Sequence, residues 1–207
     1  MDTQCSATPR DRADIRRHRI IDAARTLFIE NGFHATGVAQ IARASGVAVG
    51  QIYRDFEAKE DIVAQIVATD CAKIMARESL FAAISEGDAA TVRTWIAQFV
   101  DPVKQIDTQQ LFAEIVAESA RNVRIAAIFD ETRCEFSSSM LAALALLAPG
   151  DHLADQRRLL ADLVMMLSLG LKQHHLVRPG EDMQPLIARV LTIIDDEIAT
   201  MRALPTG

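Results

Sequence analysis

The sequence predicts an all-α protein, with a small N-terminal module of three helices followed by a larger helical domain. Half of the residues are hydrophobic but only 5% are aromatic, and Ala, Leu, Ile and Val prevail over Gly and Pro, which favours helix over sheet. Apolar residues recur at three- and four-residue spacing, without strand-like alternation or an internal repeat. The segments are separated by Gly- and Pro-containing breaks.

The first helix carries Ile15, Ile20, Ile21, Ala24, Leu27 and Phe28 at helical spacing and stops at Asn31-Gly32. Thr36 is placed to cap a short second helix whose buried stripe is Val38, Ile41 and Ala42, ending at Ser45-Gly46, where glycine can take the left-handed conformation. Ile52 and Phe56 sit four apart on a third short helix. Two short helices joined by a Gly turn and braced by a longer one make a helix-turn-helix pattern. A fourth helix is expected from Lys59 through Ile62, Ile66 and Ile74 to Leu80, broken at Glu86-Gly87-Asp88. Further helices are expected at about Ala90–Val100, Gln109–Ala120, Val123–Ala148, Ala154–His175 and Met183–Met201, with breaks at Pro102, Pro149-Gly150 and Pro179-Gly180. The boundary between module and body is expected at 74/75, giving domains 14–74 and 75–207.

Formal net charge is −6, but it is unevenly spread: residues 1–60 hold nine Lys/Arg against eight Asp/Glu, and the rest thirteen against twenty. Arg10, Arg12, Arg16, Arg17 and Arg19 cluster ahead of the first apolar stripe. A basic arm on an acidic body suits a protein that touches phosphate with one end only. No apolar run precedes these arginines, and the longest apolar stretch, Met140 to Ala148, is far short of a membrane span. Cys5, Cys71 and Cys134 lack the spacing of a disulfide framework or zinc site, and a reducing cytoplasm fits them. His174 and His175 diverge by about 100° around their helix and do not suggest joint metal ligation. There is no Gly-rich phosphate loop, His-Glu-x-x-His or nucleophile elbow. Neither enzyme activity nor a cofactor or metal is expected.

A recognition helix from Ala48 to Phe56 must hide Val47, Ile52 and Phe56 and present Val49, Gln51, Tyr53 and Arg54 to a major groove. Gln51 can pair with an adenine edge through two hydrogen bonds, and Val49 can meet a thymine methyl. Gly50 lets the backbone approach, while the Tyr53 hydroxyl and Lys59 ammonium suit phosphates. Thr36, Ile41-Ala42, Gly46-Val47, Ile52-Tyr53-Arg54, Phe56 and Lys59-Glu60 fall at a spacing that strongly resembles the TetR family of transcriptional regulators, over Ile20 to Ile66. Glu118-Ser119-Ala120-Arg121-Asn122 resembles a segment that recurs in the family's C-terminal domains. The resemblance implies a homodimeric repressor that binds double-stranded operator DNA and leaves it when a small molecule enters the C-terminal domain. The DNA-contacting residues it implies are Thr36, Gly37, Arg43, Val49, Gly50, Gln51, Tyr53, Arg54 and Lys59.

The sequence departs from the family pattern at three places. Ala48 cannot cap the recognition helix, Asp55 should repel a nearby phosphate, and Ala39 lacks a base-reading side chain. Asp55, Glu57 and the overall charge suggest an alternative, a helical interaction module whose helix-turn-helix does not bind DNA.

Candidate effector-lining residues are Phe81, Trp95, Phe99, Phe112, Ile115, Phe129, Phe136 and Met140, with Glu114 or Glu118 as polar anchors. Such walls suit an apolar ligand, or a cation if a carboxylate takes part. Glu118 can also pair with Asn122 or Arg121. The last two helices carry wide apolar faces: Leu160, Leu163, Leu167 and Leu171 with Gly170 on one, and Ile187, Leu191, Ile194, Ile198 and Met201 on the other. One copy struggles to cover both faces, so pairing across a two-fold axis is expected.

Overall fold

The computed structural model describes residues 9–102 and 106–205, without the side chains of Pro9, Ile74 and 106–109. Cys5 and the Ile74 side chain lie outside the described residues. Every regular element among them is helical: α1 (Pro9–Ala35), α2 (Val38–Ser45), α3 (Val49–Asp55), α4 (Lys59–Met75), α5 (Arg77–Glu86), α6 (Ala89–Val100), α7 (Ile106–Ser119), α8 (Val123–Leu147), α9 (Ala154–Val177) and α10 (Gln184–Ala203), with one 3-10 turn at Asp151–Leu153. No described helix is long and apolar enough to cross a membrane.

The chain divides into two compact units, one from Met1–Thr69 with Gln110–Phe129 and the other from Asp70–Gln109 with Asp130–Gly207. The divisions fall inside α4, α7 and α8, so each of these helices contributes to both units.

In the first unit, Ile20, Ala24 and Phe28 of α1, Ile41 of α2, Ile52 of α3 and Ile62, Val63 and Ile66 of α4 share one buried core with Leu111, Ile115 and Ile125. Large aliphatic and aromatic side chains of this kind each contribute roughly 1.5–3 kcal/mol when removed from water. The regular part of α1 ends where the sequence indicated. Gly32 has φ 80° and ψ 164°, and the chain resumes a short helical stretch to Ala35. Gly46 has φ 65°, a left-handed conformation that favours glycine at the α2–α3 turn, and a Cβ there would displace the Arg19 guanidinium, 2.7 Å away.

In the second unit, α6 stands at the centre of a core that joins Trp95, Ile96, Phe99 and Val100 to Met140, Leu144 and Leu147 of α8 and to the inner faces of α9 and α10. Asp88 caps α6 by accepting from the Ala90 and Thr91 amides at 3.1 Å. The Arg157 guanidinium donates to the carbonyls of Ala148 and Gly150 and secures the end of α8. Arg93 pairs with Asp195, tying α6 to α10.

Two expectations need correction. The single fourth helix running to Ser85 is two helices, because Ala76 takes a left-handed conformation with φ 39°. The Met75 carbonyl, just before the break, accepts the Trp95 indole N–H at 2.5 Å. This contact from a distant helix holds the bend, although alanine has no preference for left-handed backbone.

The apolar faces assigned to a partner are also partly misassigned. Leu160, Leu171, Ile187, Ile194 and Ile198 are buried in the chain's own core, where they have no surface left to offer. The accessible side of α9 instead shows exposed Leu159, Met166 and Gly170 with half-buried Leu163 at alternating four- and three-residue spacing, and half-buried Leu167 beside them. Leu191 is half-buried on α10, whose outer side adds Leu186 and half-buried Ile193.

Candidate nucleic-acid interface

The geometry of α2 and α3 follows from a few local contacts. The Gly37 amide donates to Gln40 Oε1 at 2.6 Å and starts α2. The Val47 amide closes α2 on the Ala42 carbonyl at 3.2 Å, and α3 begins two residues later with no side-chain cap at Ala48. Val47, Ile52 and Phe56 are buried beneath it, while Val49, Gly50, Gln51, Tyr53 and Arg54 are exposed. Arg43 on α2 and Gly37 at its start are exposed as well. This is the division of α3 that the apolar spacing predicts.

Thr36 requires correction. Its side chain is fully buried, with Oγ1 3.0 Å from the Leu27 carbonyl and 2.9 Å from that of Gly32. It neither caps α2 nor reaches DNA; it fastens the end of α1, and Gly37 is the N-cap.

The N-terminal arginines, read from the sequence as a basic arm, include three that hold the module together. Arg16 donates to Asp55 through Nε at 2.7 Å and Nη2 at 2.8 Å, a two-point pair between α1 and the end of α3. The hydrogen bonds from Arg16 hold the Asp55 carboxyl below the usual carboxylate range, helped by its charge and those of Arg17 and Arg54. The expected phosphate repulsion is therefore countered inside the protein. Arg17 lies 4.9 Å over the Phe56 ring, and Arg19 donates to the Ser45 carbonyl at 2.5 Å.

Lys59 is engaged inward. Its ammonium donates to the carbonyls of Phe33 at 2.5 Å and Thr36 at 2.9 Å and sits 4.0 Å over the Phe33 ring. Burial lowers its pKa, against the opposing charges of Glu60 and Glu118. Of three ammonium donors, two are committed to the α1–α2 junction.

The α7–α8 corner belongs to the same unit. Glu118 is buried, with Oε2 2.9 Å from His34 Nε2 and 3.2 Å from Arg121 Nε. The second contact is one that helical spacing allowed; the first joins α7 to the end of α1. Asn122 donates to Glu60 at 3.0 Å, and Arg124 pairs with Asp61 at 2.6 Å. Glu118, with Phe28, Phe33, Val63, Glu114 and Ile115, lines a cavity of about 10 Å³, room for about one water. No motif in the sequence pairs these distant residues.

The candidate effector residues fall in both units. Phe112, Glu114, Ile115 and Phe129 fall in the first unit, with Phe112 and Phe129 rings 5.8 Å apart. Trp95, Phe99, Phe136 and Met140 share the core of the second unit, where Phe99 lies 5.8 Å from Trp95 and 5.1 Å from Phe136. Phe81 is exposed on α5 under the Arg77 guanidinium. Glu114 and Glu118 belong to the first unit.

Replacing Asp55 with asparagine is expected to lower the melting temperature at neutral pH. A carboxyl with a depressed folded pKa stabilises the fold above its ordinary range, about pH 4, and loses that contribution as pH falls through the folded value. The gap between wild type and Asp55→Asn should therefore close below about pH 4. A gap of equal size at pH 3 and 7 would remove the ion pair from the account.

Comparison with known proteins agrees with this geometry. Residues 20–66 match the family model for bacterial regulatory proteins of the tetR family. The HTH-type transcriptional regulator UidR of Escherichia coli K12 is 29% identical over 181 residues, covering 84% of this chain and 90% of its own. The HTH-type transcriptional repressor KstR2 of Rhodococcus jostii is 44% identical over 52 residues, 25% of this chain and 26% of its own. A solved protein from Pseudomonas aeruginosa PAO1 shares the fold with a TM-score of 0.74 at 19% identity, covering 97% of both chains. Residues 20–66 are thus similar to the DNA-binding domain of tetR-family regulators, and the chain as a whole shares the helical fold of the Pseudomonas aeruginosa protein.

Proposed function

We propose that the protein is a repressor that binds double-stranded operator DNA as a homodimer and is released by a small molecule bound in its C-terminal part. DNA reading is assigned to residues 14–74, braced by 110–129, and effector binding and dimerisation to the remainder of 75–207. The observation that carries the reading is the division of α3, with Val47, Ile52 and Phe56 buried beneath an exposed Val49, Gly50, Gln51, Tyr53 and Arg54. The non-DNA-binding alternative drew on Asp55, Glu57 and the overall charge, and of these Asp55 is neutralised by Arg16. KstR2, described as a repressor, supports the sign of regulation.

Two α3 helices can enter successive major grooves only if they lie about 34–36 Å apart, one turn of DNA. A dimer sets that separation, and the stripe of exposed Leu159, Met166 and Gly170 with half-buried Leu163 supplies a surface for it, with Gly170 open to close approach. Because α4, α7 and α8 contribute to both units, a ligand that shifts any of them in the second unit acts on the first through continuous helix. The coupling is reciprocal: the factor by which effector lowers DNA affinity is the factor by which DNA lowers effector affinity.

On an operator selected from random sequence by the protein itself, Gln51→Ala should cost about 1–3 kcal/mol and leave binding to random DNA unchanged. Lys59→Met should weaken both, since its third ammonium donor remains for phosphate, and should make the salt dependence shallower by about one ion. Equal losses for both variants on both DNAs would contradict the assignment of reader and positioner.

The wild-type protein should sediment as a dimer at micromolar concentration, and Met166→Glu as a monomer that binds operator weakly. A wild-type monomer under those conditions would rule out the α9 stripe as an interface.

A further inference from the structure

We propose that Arg16 is a positioning residue for base reading. Through its two-point contact with Asp55 it fixes the roll of α3 about its own axis, and so the direction in which Gln51 meets a base edge, without touching DNA itself. This rests on the DNA-binding function proposed above and deepens it. All the residues concerned belong to the first unit.

Residues four apart on a helix share one side of it, and α3 presents two such rows. Ile52, with Phe56 just past the helix end, makes the buried row. Gln51 and Asp55 make the row beside it, with Gln51 exposed and the Asp55 side chain 11% exposed. The buried row sets how deep α3 lies, but burial of apolar surface is non-directional and survives a modest rotation of the helix. The Asp55 contact is directional. Arg16 Nε reaches Oδ2 at 2.7 Å while Nη2 reaches Oδ1 at 2.8 Å, a planar fork on a planar acceptor that holds over a narrow range of orientations. Because Asp55 stands one turn beyond Gln51 in the same row, holding its carboxylate holds the azimuth of Gln51.

The other contacts of α1 support the same role. Three residues beyond Arg16, on the same side of α1, Arg19 donates to the Ser45 carbonyl at the end of α2. Arg17 lies over the Phe56 ring and donates to Gln65 of α4 at 3.3 Å. With no side-chain cap at Ala48, the orientation of α3 falls to its far end. A glutamine that meets a base edge through two hydrogen bonds needs that orientation, since a functional constellation tolerates errors of only about 10–20°. The Arg16–Asp55 pair carries no net charge, so its removal as a pair leaves the attraction to phosphate as it was.

The test uses the full chain and the operator it selects from random sequence, with affinities for operator and random DNA measured across a salt series. Arg16→Met/Asp55→Asn removes the pair at constant net charge, and Arg16→Lys keeps both charges but loses the fork. Each variant is assayed at a temperature where circular dichroism shows it folded. Both should lose about tenfold or more of the preference for operator over random DNA, with random-DNA affinity and salt slope unchanged. Adding Gln51→Ala to either should cost little further, because the reader is already misdirected. Operator preference retained by either variant, or a full Gln51→Ala loss in its background, would overturn the proposal. A salt slope shallower by about one ion in the double variant would place Arg16 on a phosphate and overturn it as well. A wild-type protein that selects no operator would instead overturn the DNA-binding function itself.

Discussion

A recognition helix of seven residues cannot hold its shape by itself. Isolated helices below about 12 residues are marginal in water, and α3 also lacks a side-chain cap at its start. Its geometry must be imposed from outside. The underside is held by Val47, Ile52 and Phe56 in the module core. The end is held by the Arg16–Asp55 pair, and the preceding turn by Arg19 on the Ser45 carbonyl. Basic residues ahead of the helix-turn-helix therefore serve the backbone as well as any phosphate, and Asp55, unfavourable beside DNA, becomes a point of attachment.

The same requirement accounts for the α7–α8 corner. The α1–α2 junction carries two carbonyls taken by Lys59, and the end of α1 an imidazole taken by Glu118. Glu118 is a buried carboxylate, and losing a partner there would leave a costly unpaired charge. Asn122 and Arg124 add contacts to the start of α4 through Glu60 and Asp61. The reading head is thus completed by residues far along the chain, on helices that continue into the other unit.

Local signals were legible in the sequence and long-range ones were not. Helical spacing and the glycines at 32 and 46 placed the first three helices, and the alternation of apolar and polar residues around Ile52 divided α3 between core and solvent. Thr36 was misread because a threonine before a short helix looks like a cap, whereas its hydroxyl turns back to α1. The bend at Ala76 left no trace because its cause, the Trp95 indole on the Met75 carbonyl, comes from another helix. On α9 and α10, apolar residues on more than one side made the inward stripe indistinguishable from an outward one. Phe112 and Phe129 carry the same apolar signature as Phe99 and Phe136, and only the folded chain assigns them to different units.

The central claim is that the α7–α8 corner and the recognition helix form one cooperative structure. Native-state amide hydrogen exchange of the Glu118→Ala protein tests it most directly. The account predicts that the α3 amides, including those of Ile52 and Phe56, lose protection together with those of residues 111–125, while α10 keeps its own. Unchanged protection of α3 alongside a loosened α7–α8 corner would contradict it.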